Sequence, residues 1–233
     1  MVNCHFVTCV SRQSGAKERN LKIFRFVVID IYFAIFSLVI IMFLLGINGK
    51  KEDEKINDYR EYGYIEDELF SDFVYFPVAL DSDNKNSILY ENTYGDERTY
   101  GGDREHQGID ILDNSNKRGN LPIVSVCDGV IENVGWLELG GYRIGIRSSQ
   151  GVYYYYAHLY RYEIGIEEGM EVKAGQIIGY MGDSGYSKVE GTVGNFPVHL
   201  HFGIYIMVDG NEITVNPYEI LKKNENCILR YDF

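Results

Sequence analysis

Cysteine is scarce in this sequence: four residues in 233, at Cys4, Cys9, Cys127 and Cys227. None stands in a CxxC pair, which argues against a thiolate zinc knuckle or a dithiol redox motif. A Cys127–Cys227 disulfide is open outside the cytoplasm, but a domain of this size needs no staple, and two buried free thiols are expected. Positive charge is also in short supply, with 22 Lys and Arg against 34 Asp and Glu, a net charge of −12. Residues 1–25 hold Arg12, Lys17, Arg19, Lys22 and Arg25 against Glu18 alone, so +4 there leaves −16 for the rest. A domain this acidic lacks the cations that displace counterions from a phosphate backbone, which argues against nucleic acid as a partner. Internal repeats and long amphipathic helices are missing beyond the first 70 residues. Histidine is rare, at five residues.

What is present points to strands. Twenty Tyr and 25 Gly favour strands and tight turns. From about Val74, short apolar runs sit between Gly-rich turns, as in "LPIVSVCDG", "GYRIGIRSS", "GVYYYYAHL", "GQIIGYMG" and "VHLHFGIYIMV". One short helix is expected at "NPYEILKK", with Asn216 as N-cap and Pro217 in the first helical position. One long apolar run precedes the domain. "FVVIDIYFAIFSLVIIMFLLGI", Phe26–Ile47, is broken only by Asp30 near one end. As a helix it spans about 33 Å, the thickness of a bilayer's hydrocarbon core. It is too long for a signal-peptide core and no small-residue cleavage site follows, so a retained anchor is expected. Five Lys and Arg on its N-terminal flank against four on the other favour an N-terminus inside. The expected organisation is a cytoplasmic tail (1–25), a transmembrane anchor (26–47), a charged linker (48–73), a domain (74–222) and a C-terminal tail (223–233).

The chemistry-bearing residues lie in three places. In "VHLHFGIYI", strand alternation puts His199 and His201 on one face, with Val198, Leu200 and Phe202 on the other. In "REHQGIDIL", His106 and Asp110 stand four apart, with Ile109 and Ile111 alternating to the opposite side. A flat strand would separate His106 and Asp110 by about 13 Å, so a bend is expected at Gly108. In "YYYYAHLYR", His158 ends a tyrosine run in which Tyr154 and Tyr156 are expected to share its face. Catalytic zinc takes three N/O protein ligands and keeps one position open. His106, Asp110 and one of His199 and His201 would meet that need, leaving two histidines to handle protons.

These motifs, "HQGID", "YYAHL" and "HLHF" in that order, resemble those of the lysostaphin/LytM-type zinc endopeptidases of bacterial cell walls. The intervening "EEGMEVKAGQIIGYMGDSG" resembles the same family, and the likeness covers about residues 76–222. It implies a mainly β fold: a compact antiparallel β-sheet metallopeptidase domain of the duplicated hybrid motif type, behind the N-terminal helix. It implies one zinc per chain held by His106, Asp110 and His201, with His158 and His199 as the catalytic pair. Tyr100, six residues before His106, matches a tyrosine that helps hold a developing oxyanion in some members. Peptidoglycan peptides are the implied substrate, with the domain outside the membrane of a bacterial cell. Two departures stand out. Gly203 follows "HLHF" where many members have Glu, and the glycines of "GDSGYSKVEGTVGNFPVHLHF" suggest a long, flexible groove wall. Two other classes compete: a catalytically silent scaffold or amidase regulator on the same fold, and a lipoyl-type carrier. The first would lack one of the five site residues. The second would need a modifiable lysine at a hairpin tip, and Lys173 is misplaced for that.

Overall fold

The computed structural model describes residues 70–82 and 88–231. The strands are β1 (Leu80–Asp81), β2 (Ile88–Leu89), β3 (Glu97–Arg98), β4 (Arg104–Glu105), β5 (Ile109–Asp113), β6 (Pro122–Val124) and β7 (Gly129–Leu137). They continue as β8 (Gly141–Ser148), β9 (Tyr153–Tyr162), β10 (Glu171–Val172), β11 (Ile177–Met181), β12 (His199–Val208), β13 (Asn211–Val215) and β14 (Arg230–Tyr231). Ten of them form one antiparallel sheet whose main path is β10-β7-β8-β9-β12-β5-β2, with β11 on β6 and β9 and β13 on β12. The expected mainly β, antiparallel fold is what the chain adopts.

Each apolar run became a strand because alternation gave it one face to bury. Ile109, Ile111, Leu200, Phe202 and Ile204 are fully buried on the core face, as their spacing requires. Phe202 sits at the centre of an aromatic cluster with Phe73, Tyr154 and Tyr156. Both tyrosines bring a hydroxyl into the core, and both hydroxyls are paired. Tyr154 donates to Asp72 Oδ1 at 2.8 Å, and the Tyr156 oxygen accepts the Val126 N–H at 3.0 Å.

The helix is α1 (Tyr218–Lys223), where the sequence places it. Pro217 already has helical backbone angles, and the Asn216 side-chain oxygen accepts the Tyr218 N–H at 3.0 Å. The folded unit runs past both expected limits, 74 and 222. Phe70 and Phe73 are buried in the same core, and the C-terminal β14 pairs in parallel with β1. Both cysteines of the domain are free, but only Cys127 is buried; Cys227 is exposed, contrary to expectation. It lies in a short 3-10 turn that follows α1, none of whose residues is buried. Among the described residues no helix is long and apolar enough to cross a membrane. The anchor expected at 26–47, most of the 48–73 linker, and His5 lie outside the described residues.

Candidate functional site

The site forms where β5, β12 and β9 lie side by side. Asp110 and His201 are direct cross-strand partners, and His201 is also opposite Ala157 on β9. His106 lies between β4 and β5, where the chain turns, so its ring comes back over Asp110. The turn closes against β12 at Gly108. A Cβ there would stand 2.5 Å from the Phe202 carbonyl oxygen and 2.7 Å from the His201 ring. The bend expected at this position therefore needs glycine for close approach as well as for direction.

Three ligand-type atoms meet. His106 Nε2 is 3.0 Å from Asp110 Oδ1 and 2.9 Å from His201 Nδ1, and the third edge is 3.1 Å. His106 Nδ1 lies between an acceptor, the Thr93 carbonyl at 2.8 Å, and a donor, Arg98 Nη2 at 3.0 Å; with its proton on Nδ1, towards the shorter contact, Nε2 presents a lone pair. That lone pair faces a carboxylate oxygen. One proton on His201 Nδ1 cannot satisfy all three edges, whereas a divalent cation held by the three atoms would. Two imidazoles and a carboxylate are a donor set that suits zinc.

The other two histidines stand beside this triangle with their tautomers set in the same way. His199 Nδ1 lies 2.8 Å from the Pro197 carbonyl and His158 Nδ1 lies 2.8 Å from the Ser184 carbonyl, so both keep Nε2 free. His199 Nε2 is 3.7 Å from Asp110 Oδ1, and the His158 and His199 rings are 4.7 Å apart. Burial, reinforced by the neighbouring imidazoles, pushes the proton affinity of His158 well below that of an ordinary histidine.

The sequence reading misplaces the neighbours of His158. Tyr154 and Tyr156 point into the core, and the groove face of β9 carries Tyr153 and Tyr155. Strict alternation would bury His158 with Tyr154. The β8–β9 register instead slips, pairing Tyr142 with Leu159 and Ile144 with Tyr156, so that Ala157 and His158 together oppose Arg143. This is a β-bulge, and His158 takes a left-handed φ of +62°, which turns its ring into the groove. Such a conformation costs a non-glycine residue about 1–2 kcal/mol.

Tyr100 is placed one layer out. Its hydroxyl donates to the Tyr186 carbonyl at 2.5 Å and its ring stacks on Tyr186 at 4.3 Å. Tyr186 is the residue that lines the groove, with its ring 5.8 Å from His158 and a left-handed φ of +50°. The loop before β12 is tied down rather than loose. Asp183, almost fully buried, pairs with Arg118 and accepts the Gly194 N–H at 3.0 Å. Its glycines serve the turns: Gly185, Gly191 and Gly194 all have positive φ. Gly203 packs closely, since a Cβ there would come within 3.1 Å of Tyr205 and 3.2 Å of the Gln107 carbonyl oxygen.

The groove has a volume of about 460 Å³. Arg98, Arg143 and Tyr186 are lining residues that the sequence reading did not single out. Arg98 was legible only as one of few cations; it reaches Asp110 Oδ2 at 3.4 Å and His106 Nδ1 at 3.0 Å. Tyr186 had one signal, an aromatic residue within a Gly-rich loop.

The chain also matches known proteins in sequence and fold. The profile of Peptidase family M23 matches residues 104–217. An L-Ala–D-Glu endopeptidase of Bacillus subtilis is 41% identical over 158 residues, covering 68% of this chain and 44% of its own length. Lysostaphin of Staphylococcus simulans is 34% identical over 119 residues, covering 50% of this chain and 21% of its own. The chain thus spans less than half the length of these curated relatives. The crystal structure of a candidate glycyl-glycine endopeptidase, lytM, of Ruminococcus gnavus superposes with a TM-score of 0.66. It is 47% identical, and the match covers 72% of this chain and 66% of that one. Residues 104–217 of the chain are a domain of peptidase family M23.

Proposed function

We propose that this protein is a membrane-anchored zinc metalloendopeptidase that hydrolyses peptide bonds in peptidoglycan stem peptides or cross-bridges. The observation that carries the reading is the meeting of His106 Nε2, Asp110 Oδ1 and His201 Nδ1 within about 3 Å, beside two further histidines with free Nε2 atoms. The names of the relatives support the substrate class. A silent scaffold or amidase regulator would have lost one of the five residues, and all five line the groove.

His106, Asp110 and His201 would hold the ion. When bound, zinc polarises the scissile carbonyl and brings the deprotonation of water towards neutral pH. The chain supplies the rest. His199 and His158 orient the attacking water through Nε2 and one of them accepts its proton there. Their Nδ1–H bonds to the Pro197 and Ser184 carbonyls keep the rings from rotating away. The weak basicity of His158 keeps it neutral at pH 7, and a proton gained there passes readily to the leaving amine. Tyr186 stands edge-on against His158, and Tyr100 braces Tyr186; for Tyr100 to help hold an oxyanion, its hydroxyl must leave the Tyr186 carbonyl.

The placement proposed is the bacterial cell membrane, single-pass through 26–47, with the domain outside. Full-length protein should carry about one zinc and release peptide-bond cleavage products from purified cell walls, read by mass spectrometry. Digestion undiminished by chelation would contradict the zinc mechanism. Release of the protein from membranes by alkaline carbonate would contradict the anchor.

A further inference from the structure

The groove has an uneven charge. Its lining residues include three arginines, Arg98, Arg104 and Arg143, against two carboxylates, Glu105 and Asp110. Asp110 is committed to the metal triangle and to Arg98. Arg104 spends its donors on the Tyr100 carbonyl and the Tyr186 hydroxyl. Arg143 is different. Among the described residues its side chain makes one hydrogen bond, a long one of 3.4 Å from Nη2 to the Asn133 side-chain oxygen, and its Nη1 is shielded from water with no partner.

An unpaired guanidinium donor is costly to shield, because a charged group loses more on desolvation than a neutral one. In a chain with 34 acidic residues, a carboxylate partner was available to selection in many places. Arg147, four residues along the same strand, has two of them, Glu132 and Glu212. Arg143 has no carboxylate partner among the described residues, and its side chain faces the groove rather than the outer edge.

Its position relative to the metal triangle follows from the register. Asp110, His201 and Ala157 form a row across β5, β12 and β9, and Arg143 on β8 opposes the bulge at Ala157 and His158. Two strand spacings, about 10 Å, separate the backbone of Arg143 from that of His201. An extended peptide advances about 3.3–3.6 Å per residue, and the arginine side chain reaches back part of the way. A group bound by Arg143 therefore belongs to a residue within about two of the bond being cut.

We propose that Arg143 makes this groove select peptides with a free carboxylate close to the scissile bond, over neutral peptides such as oligoglycine bridges. A planar guanidinium accepts a carboxylate through two parallel hydrogen bonds, and a carboxamide cannot replace both. This rests on the endopeptidase reading above and narrows its substrate class from any wall peptide to an acidic one.

The test uses full-length protein and two synthetic stem peptides, identical except that one internal carboxylate is free in the first and amidated in the second. The wild type should favour the acid peptide in kcat/KM by about tenfold to a hundredfold, the range for a charge-assisted pair. Arg143→Gln should bring the ratio close to one, Arg143→Lys should fall between, and the control Arg147→Gln should keep the wild-type ratio. A wild-type ratio near one, or a ratio unchanged in Arg143→Gln, overturns the proposal while hydrolysis itself still stands. Equilibrium binding of the same peptides to His199→Ala reads recognition without turnover. Tighter binding of the acid peptide, abolished by adding Arg143→Gln, supports the assignment even if neither peptide is cut, in which case it is the endopeptidase reading that fails. Equal binding of the two peptides overturns it.

Discussion

The two faces of β9 and β12 divide one pair of strands between stability and chemistry. On the core face, Tyr154, Tyr156, Leu200, Phe202 and Ile204 are fully buried, and both tyrosine hydroxyls are paired. On the groove face, Tyr153, Tyr155, His199, His201 and Tyr205 border a cavity, and the imidazoles crowd one carboxylate. The core face satisfies its polar groups internally, whereas the groove face brings lone pairs together without doing so. A period of two residues separates the tasks, and the bulge at His158 moves one residue from the first set to the second.

That division can be broken deliberately. His106→Ala should have the largest effect: zinc falls from about one per chain towards none and wall digestion drops about a thousandfold or more. Its far-UV circular dichroism should stay that of the wild type, because the sheet does not depend on this ring. Phe202→Ala should do the reverse. The loss of a buried aromatic side chain costs about 3–5 kcal/mol, measured by urea unfolding, while the fraction that remains folded keeps its zinc. His158→Gln should retain metal and stability but lose about a hundredfold in kcat, which separates proton handling from ion binding.

A smaller effect appears with pH. His158 is held neutral by burial, so its folded pKa lies below that of the unfolded chain. Its neutral form contributes fully above the unfolded value of about 6.5, and stability is lost as pH falls below that point towards the folded pKa. Between pH 6.5 and 5.5 the wild type should lose about 1 kcal/mol more than His158→Gln in urea titrations of metal-free protein. Smallest of all should be Tyr100→Phe. If Tyr100 only braces Tyr186, kcat falls less than about tenfold, the worth of one neutral hydrogen bond. A loss of a hundredfold or more would mean that its hydroxyl reaches the reacting carbonyl.

Much of the site was legible because strand alternation is rigid. The shared face of His199 and His201, the burial of Ile109 and Ile111, and the turn at Gly108 all follow from local spacing. The cluster of His106, Asp110 and His201 needed one further step: spacing left His199 and His201 as alternatives, the family resemblance chose His201, and its pairing with Asp110 across β12 and β5 shows only after folding. The bulge was not legible, since a register slip is set by the partner strand and leaves no mark on "YYYYAHL" itself. Arg143 and Tyr186 were hidden for a similar reason: β8 and the loop before β12 reach the groove only after folding. The domain's edges were also obscured. Phe70 and Phe73 look like the end of a charged linker, and β14 looks like a tail, until the core and β1 claim them.

The central claim is that His106, Asp110 and His201 hold one zinc ion. Anomalous diffraction from crystals grown with zinc, recorded on both sides of the zinc absorption edge, tests it most directly. One strong peak is expected about 2.0–2.2 Å from His106 Nε2, Asp110 Oδ1 and His201 Nδ1, lost in His106→Ala. A peak seated on other residues, or none at these three under saturating zinc, would contradict it.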